Sequence, residues 1–368
     1  MRVLITGADG FIGKNLVVHL DEMEDVDVVK FSRENSISQL ASMCSEVDFV
    51  IHLAGINRPE NDDEFTAGNE GLTNILCDAL SMTGRKIPVI YSSSIQADRN
   101  NPYGRSKLYS EQTISAYSVS TGSKSYIYRL PNVFGKWCKP NYNSVIATFC
   151  HNIANDLEIQ ISDPNVSLDL VYIDDVVKEF VSVVTKSKQS EKIEVSPVYS
   201  IKLGELAEQI RGFRDNRKHF NIDRVGMGLT RCLYATYLSY QKPENFSYDL
   251  IQNSDKRGSF VEILKTVDSG QFSYFTSRPG ETRGEHYHHT KNEKFLVVSG
   301  KAKFQFRNII TNENYTLHTS DEKPQIIETI PGWAHDITNI GQSEMVVFLW
   351  ANEIFDKENP DTYRYKIE

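Results

Sequence analysis

The sequence predicts two folds in series: a doubly wound parallel α/β sheet over residues 1–243 and an all-β domain over residues 244–368. Three observations carry this reading. Short apolar runs alternate with helical stretches through the first part, the pattern of parallel strands joined by crossover helices. A turn with Gly7, Gly10 and Gly13 separates the first run from the first helix. Beyond residue 245 the runs become short, β-branched and aromatic, with turn residues between them and no long amphipathic helix.

In the first domain "RVLIT" reads as a buried strand and "KNLVVHL" as a helix. "DVDVVKF", "VDFVIHLAG", "KIPVIYSSS" and "KSYIYRL" are the strands that follow. The boundary falls in the polar stretch "YQKPENFSYDLIQNSDKRGSF", which contains Pro243. After it, "SFVEILKT", "GQFSYFTSRPG", "KFLVVSGKAKFQFRN", "NYTLHTS", "QIIETIPG" and "MVVFLWANEIF" predict the strands of a sandwich or small barrel.

Composition narrows the function classes. A formal charge of −9 argues against nucleic acid or an acidic membrane surface as partner. The five cysteines are odd in number and form no CxxC pair, which excludes a disulfide framework and fits a reducing cytoplasm. No run of about 18 apolar residues is present, so no membrane span is expected. Asp9 interrupts the first apolar stretch before a signal-peptide cleavage site could follow.

The glycine spacing has a use. Glycines permit a tight turn and let backbone approach a pyrophosphate, while the helix behind presents unpaired amides to the anion. Gly7, Gly10, Phe11, Ile12 and Gly13 are therefore candidate cofactor contacts, together with Leu53, Ala54 and Gly55 after the third strand. An acidic residue at the end of the second strand would select NAD through the ribose hydroxyls. Here "KFSREN" supplies Ser32 and Arg33 instead, a hydroxyl and a guanidinium suited to a 2′-phosphate, so the expected cofactor is NADPH. The plain alternative is a solvated surface arginine.

"YSSSIQADRNNPYGRSK" is more specific. Three serines end a strand, and Tyr103 and Lys107 follow at i, i+4 on one helical face. An ammonium beside a phenol favours the phenolate and lowers its pKa from about 10. Such a tyrosine exchanges a proton with a carbonyl or alcohol oxygen near neutral pH, and a serine hydroxyl can hold the same oxygen.

With "TGADGFIG", "DFVIHLAG", "YSSS", "YGRSK", "RLPNVFG" and "VYIDDVV" in that order, residues 1–240 resemble the extended short-chain dehydrogenase/reductases that act on nucleotide sugars, a Rossmann-type fold. The resemblance implies Ser94 as the catalytic hydroxyl, Tyr103 as the acid and Lys107 as its partner, with Tyr103 and Lys107 also touching the cofactor. Ser93 is the other register. It also implies substrate-side loops around "RLPNVFGKW", near Arg129 and Asn132. Ala97-Asp98-Arg99 stands where the family carries "VYG", which puts the floor of the sugar pocket in question. No Asp-Glu pair follows Ser94, and that speaks against a dehydratase.

In the second domain, "GETRGEHYHHTKNEKFLVVSG" places His286 and His288 two apart, on one face of a strand, and Glu293 at the start of the next strand. "IPGWAHDITN" adds His335 from a later strand. Three imidazoles and a carboxylate suit Zn²⁺, Fe²⁺, Mn²⁺ or Ni²⁺, with zinc foremost. The spacing resembles the cupin superfamily, although its second motif reads Ile330-Pro331-Gly332 rather than PxG. The same likeness admits a metal-free sugar pocket. His289 reads as a surface or supporting residue, and the epimerisation base stays open among Glu285, Tyr287, His289 and Lys294.

Reductase followed by cupin resembles a family of bifunctional capsular-polysaccharide enzymes over nearly the whole chain. That likeness implies a UDP-linked 4-keto-6-deoxy-N-acetylhexosamine as substrate, C3 epimerisation in the cupin and C4 reduction by NADPH. The product would be UDP-2-acetamido-2,6-dideoxy-L-talose, in the N-acetyl-L-fucosamine pathway. A homodimer is expected. The competing reading is a single-activity ketoreductase whose cupin only dimerises or binds sugar.

Overall fold

A computed structural model describes residues 1–59, 61, 63–185 and 193–367. The chain divides into two compact units, Met1–Arg211 with Cys232–Gln241, and Gly212–Arg231 with Lys242–Glu368. The stretch 212–231, which a break at 243/244 assigns to the first domain, thus joins the second unit. Its anchor is a short strand, Asn221–Ile222, paired in parallel with Lys265 and Thr266.

In the first unit, β1 (Arg2–Thr6), β2 (Asp27–Phe31), β3 (Phe49–His52), β4 (Val89–Ser94) and β5 (Ser125–Leu130) form one sheet in the order β2-β1-β3-β4-β5. All four pairings are parallel. The helices α1 (Phe11–Asp21), α2 (Ile37–Glu46), α3 (Asp63–Phe65), α4 (Leu72–Met82) and α5 (Pro102–Thr121) connect these strands. A π turn, Thr66–Gly71, joins α3 to α4. Both faces of a parallel sheet are covered, so its strands are apolar throughout rather than alternating. Val3, Leu4, Ile5, Val50, Ile51, Val89 and Ile90 are fully buried. The connections reverse direction at β1, which opens a crevice at the carboxyl ends of β1 and β3.

A separate small sheet in the same unit contains β6 (Asn132–Phe134), β7 (Ser167–Tyr172) and β8 (Val198–Lys202). The helices α6 (Val145–Ala154) and α7 (Ile173–Val184) accompany it, and α8 (Leu203–Lys218) and α9 (Gly228–Leu238) follow in the chain.

The second unit is all-β apart from its opening helical segments. The strand Asn221–Ile222 is β9, followed by β10 (Gln252–Asp255), β11 (Gly258–Thr266), β12 (Gln271–Ser277), β13 (Thr282–Tyr287), β14 (Glu293–Ser299), β15 (Lys301–Asn308), β16 (Asn314–Ser320), β17 (Ile326–Glu328), β18 (Trp333–Asn339), β19 (Met345–Ala351) and β20 (Tyr363–Arg364). One sheet runs β10-β11-β12-β19-β14-β17 with β9 attached to β11, and the other runs β16-β15-β18-β13-β20. Alternate residues of both sheets meet in one core that includes Phe275, Phe295, Val297, Phe304, Phe306, Ile337 and Val347. No helix among the described residues is long and apolar enough to cross a membrane.

Candidate functional site

The glycine turn is built by close backbone approach. Gly7 has φ +72, and a Cβ on it would stand 2.8 Å from Ala54 N. A Cβ on Gly13 would stand 2.3 Å from Gly7 O. The turn is closed by Gly10 N donating to Gly7 O at 2.9 Å. No side chain caps α1 at Gly10, so the amides at Phe11 and Ile12 remain available to an anion. Ala54 N donates to Thr6 Oγ1 at 3.2 Å, which brings Leu53, Ala54 and Gly55 beside this turn. Ser32 N donates to Asn35 Oδ1 at 2.9 Å. Arg33 is exposed and, among the described residues, stands in no ion pair.

The serines of β4 and the first half of α5 meet at the end of the sheet. Asn101 caps α5 by accepting from Gly104 N at 2.8 Å. Gly104 is required there: a Cβ would lie 2.3 Å from Gln96 O and 2.4 Å from Arg99 O. Lys107 is 6% exposed and donates from Nζ to Ser92 O at 3.0 Å. Its ammonium stands 4.9 Å from the Tyr91 ring centroid and 5.9 Å from that of Tyr103. Burial lowers Lys107 to about 8, and Glu111 opposes the shift.

Tyr103 departs from the sequence reading. Burial raises its phenol, opposed by the Ser94 hydroxyl. The separation from Lys107 and the loss of solvent outweigh the lowering that an adjacent cation was expected to give.

The two serine registers are distinct in the fold. Ser93 is buried and donates to Glu111 Oε1 at 2.5 Å, whereas Ser94 is half-buried and faces Tyr103. Arg129, expected near substrate, instead grips Glu111 through Nε at 2.9 Å and Nη2 at 2.7 Å. Its remaining nitrogen, Nη1, donates to Asp98 Oδ1 at 2.6 Å, which gives the departure at Ala97-Asp98-Arg99 a structural use. Asn132 donates to Asp169 O at 3.0 Å.

A polar cavity of about 610 Å³ opens at the start of α6, lined by Tyr142, Asn143, Ser144, Asn152, Glu158 and Gln160 among others. Tyr142 ties its rim to the loop after β3. The phenol donates to Asn57 Oδ1 at 3.4 Å, and Arg58 donates to Tyr142 O while lying 5.7 Å from its ring centroid. Lys139 lies 5.0 Å from the same ring. No motif spacing marked this cavity, although its lining comes from one stretch of chain, residues 141–160.

In the second unit His286, His288, Glu293 and His335 converge, with one ligand atom from each lying within 4.8 Å of the others. A bulge interrupts β13 between Gly284 and His286, with Glu285 at φ 59, and His286 then pairs directly with His335. Bulges of this kind re-aim a side chain. His288 lies just past the strand end, with Nε2 3.3 Å from Glu293 Oε2. His335 Nε2 is also 3.3 Å from that oxygen.

His286 Nε2 and both His335 nitrogens are buried without a hydrogen-bond partner. Orphaned donor atoms around one carboxylate fit a divalent cation. Burial lowers His286 to about 4, with neighbouring His335 acting in the same direction. Burial would raise Glu293, but His288 and His335 overcome it and hold the carboxyl well below its usual range.

The supporting residues were not legible in the sequence. The Asp361 carbonyl is hydrogen-bonded to His288 Nδ1, which leaves Nε2 directed at Glu293. The Asp361 carboxylate accepts from the amides of His289, Thr290 and Lys291 at 2.9, 2.7 and 2.8 Å. Lys291, also unflagged, is buried with Nζ 3.5 Å from Glu293 Oε1. Of the candidate bases, Lys294 pairs with Glu328. Tyr287 stacks on Tyr363 at 5.3 Å, and His289 meets Tyr363 at 4.7 Å. Glu285 is exposed at the bulge.

Residues 3–198 match the NAD dependent epimerase/dehydratase family, and residues 253–363 match the polysaccharide biosynthesis C-terminal domain. The chain is 55% identical over 364 residues to UDP-2-acetamido-2,6-beta-L-arabino-hexul-4-ose reductase of Pseudomonas aeruginosa, covering 99% of this chain and 98% of that one. The crystal structure of the capsular polysaccharide assembling protein CapF from Staphylococcus aureus superposes with a TM-score of 0.93, at 44% identity and full coverage of both chains. UDP-glucuronic acid 4-epimerase from Bacillus cereus, solved with UDP-glucuronic acid and NAD, shares the fold over 65% of this chain and 99% of its own, with a TM-score of 0.54 and 17% identity. The chain therefore belongs to the NAD dependent epimerase/dehydratase family and joins to that fold a polysaccharide biosynthesis C-terminal domain.

Proposed function

We propose that the protein is a bifunctional nucleotide-sugar enzyme of capsular polysaccharide synthesis. In this reading the first unit reduces the C4 ketone of a UDP-4-keto-6-deoxy-N-acetylhexosamine, and the second, a cupin, epimerises C3 of the same ketone. The product is UDP-2-acetamido-2,6-dideoxy-L-talose. The observation that carries the reductase is the buried Lys107 beneath a half-buried Tyr103, with Ser94 facing the phenol. The full-length likeness to a UDP-sugar 4-ketone reductase supports the substrate class.

The glycine turn and α1 would hold NADPH, with Arg33 at its 2′-phosphate, and the cofactor bound there would supply the hydride. Tyr103 gives its proton to the C4 oxygen as the carbon is reduced, and Ser94 holds that oxygen. Lys107 stabilises the phenolate left behind, which a buried ammonium does more strongly than a solvated one. The cavity beside α6, with its amide and hydroxyl lining, receives the nucleotide, and Arg58 and Lys139 lie against Tyr142 at its rim.

A ketone at C4 acidifies the C3 proton. A side chain removes it, and reprotonation from the other face inverts the centre. His286, His288, Glu293 and His335 would hold a divalent ion, with zinc foremost, and that ion would supply Lewis acidity there. Lys291 is a buried amine beside that cluster. A homodimer belongs to the same reading, on family likeness.

One observation favours a second reading, in which the cupin is non-catalytic: Lys294, Tyr287 and His289 are engaged away from the ligand cluster. Full-length protein incubated with the 4-keto sugar in D₂O without NADPH separates the two. Deuterium at C3 supports the epimerase. Its absence, with NADPH still consumed on the keto sugar, leaves a reductase alone.

A further inference from the structure

We propose that Glu111 is a positioning residue of the reductase site: its carboxylate fixes the end of β4 that presents Ser94, and it sustains the charge on Lys107. The inference rests on the reductase reading of Tyr103 and Lys107.

Tyr103, Lys107 and Glu111 recur every four residues along α5, on one face. That face fastens the end of β4 residue by residue. Lys107 Nζ takes Ser92 O at 3.0 Å, Glu111 Oε1 takes the Ser93 hydroxyl at 2.5 Å, and Ser94 comes next, facing Tyr103. Arg129 on β5 closes the frame from the far side. It holds both Glu111 oxygens and, through Asp98, the turn that follows Ser94. Glu111 is 7% exposed, and a buried carboxylate is tolerated only with partners of this quality.

Lys107 faces Tyr91 from β4 and Tyr103 from its own helix. From β3 it faces His52, which burial holds neutral, down at about 3. From the π turn, Asn69 is an uncharged amide that meets Lys107 across Gly55. Among the described residues, Glu111 is the carboxylate acting on Lys107, and it counters the burial that draws the ammonium down to about 8. With that negative charge gone, Lys107 loses its proton at lower pH, and Tyr103 loses its cation in the range where the enzyme works.

The test is the pH profile of kcat/KM for NADPH oxidation by full-length Glu111→Gln on the 4-keto sugar. The alkaline limb should move down by roughly half a pH unit or more. Ser93→Ala keeps the carboxylate while freeing the strand, so its rate should fall with the limb unmoved. A Glu111→Gln profile that is lower but unshifted overturns the proposal, as does an equal shift in Ser93→Ala. Should Glu111→Gln not fold, Glu111→Asp, which draws the charge back by one methylene, should show a smaller downward shift. An unmoved limb in that variant overturns the proposal too. Wild-type protein that consumes no NADPH on the keto sugar refutes the reductase reading itself. An active wild type with unshifted variants refutes this inference alone.

Discussion

Replacing Asp361 with alanine tests the proposed metal centre away from its candidate ligands. The carboxylate accepts three loop amides and the Thr290 hydroxyl, the last at 3.1 Å, and so docks the segment whose own carbonyl orients His288. A hydrogen bond to a charged group is worth about 1.5–3 kcal/mol when buried. Most of these partners are open to water, which replaces much of that, so a total near 2 kcal/mol is reasonable. Loss of a residue that orients a ligand typically weakens metal binding by about 10–100-fold, which agrees with this figure.

Sign matters for pH. Burial would raise Asp361, but the amides of His289, Lys291 and Thr290 overcome it and hold the carboxyl below its ordinary value. The folded pKa is thus depressed. Its stabilisation is complete above the unfolded value of about 4 and fades as pH falls through the folded value. The assay is competition between stripped full-length protein and a chromophoric chelator for Zn²⁺ at neutral pH. The urea-unfolding midpoint of the stripped protein serves as the folding control. An affinity in Asp361→Ala within twofold of wild type would refute the reasoning, and wild type that binds no zinc would refute the metal centre itself.

Other outcomes follow from the same geometry. His286→Ala removes an orphaned imidazole and should leave the protein with less bound metal by elemental analysis; unchanged content refutes the ligand set. Tyr103→Phe should slow NADPH oxidation by roughly 100-fold or more while C3 exchange in D₂O continues. Loss of both activities argues against separable sites. Arg33→Ala should raise KM for NADPH about tenfold with little change for NADH, since a charge-assisted contact to the 2′-phosphate is lost. Equal effects on both count against that role. Gly104→Ala forces a Cβ to within 2.3 Å of Gln96 O and should destabilise the protein by about 2–3 kcal/mol in urea melts. An unchanged midpoint contradicts the close packing of α5 on the turn before it.

Much of the site was legible because its chemistry is local. The glycine turn, the serines ending β4 and the Tyr103–Lys107 pair each lie within one strand–turn–helix step, where spacing implies geometry. Glu111 sits on the same helical face and could have been flagged by the same rule. Arg129 could not, because its direction depends on what β5 lies against. Which serine meets Glu111 and which faces Tyr103 depends on how α5 packs on β4. The candidate ligand set was readable from residue types and the two-residue spacing of His286 and His288, but the bulge at Glu285, which sets His286 opposite His335, was not.

By itself the sequence determined the order of the two folds, the glycine turn and the candidate side chains of both sites, because periodicity and short-range spacing are properties of the chain. Only the tertiary structure decided which oxygen Ser93 would meet, how far burial would draw down Lys107, and that Asp361, 73 residues beyond His288, would hold that ligand in place. Solvent exclusion and contacts between distant segments arise when elements pack, and no local pattern encodes them.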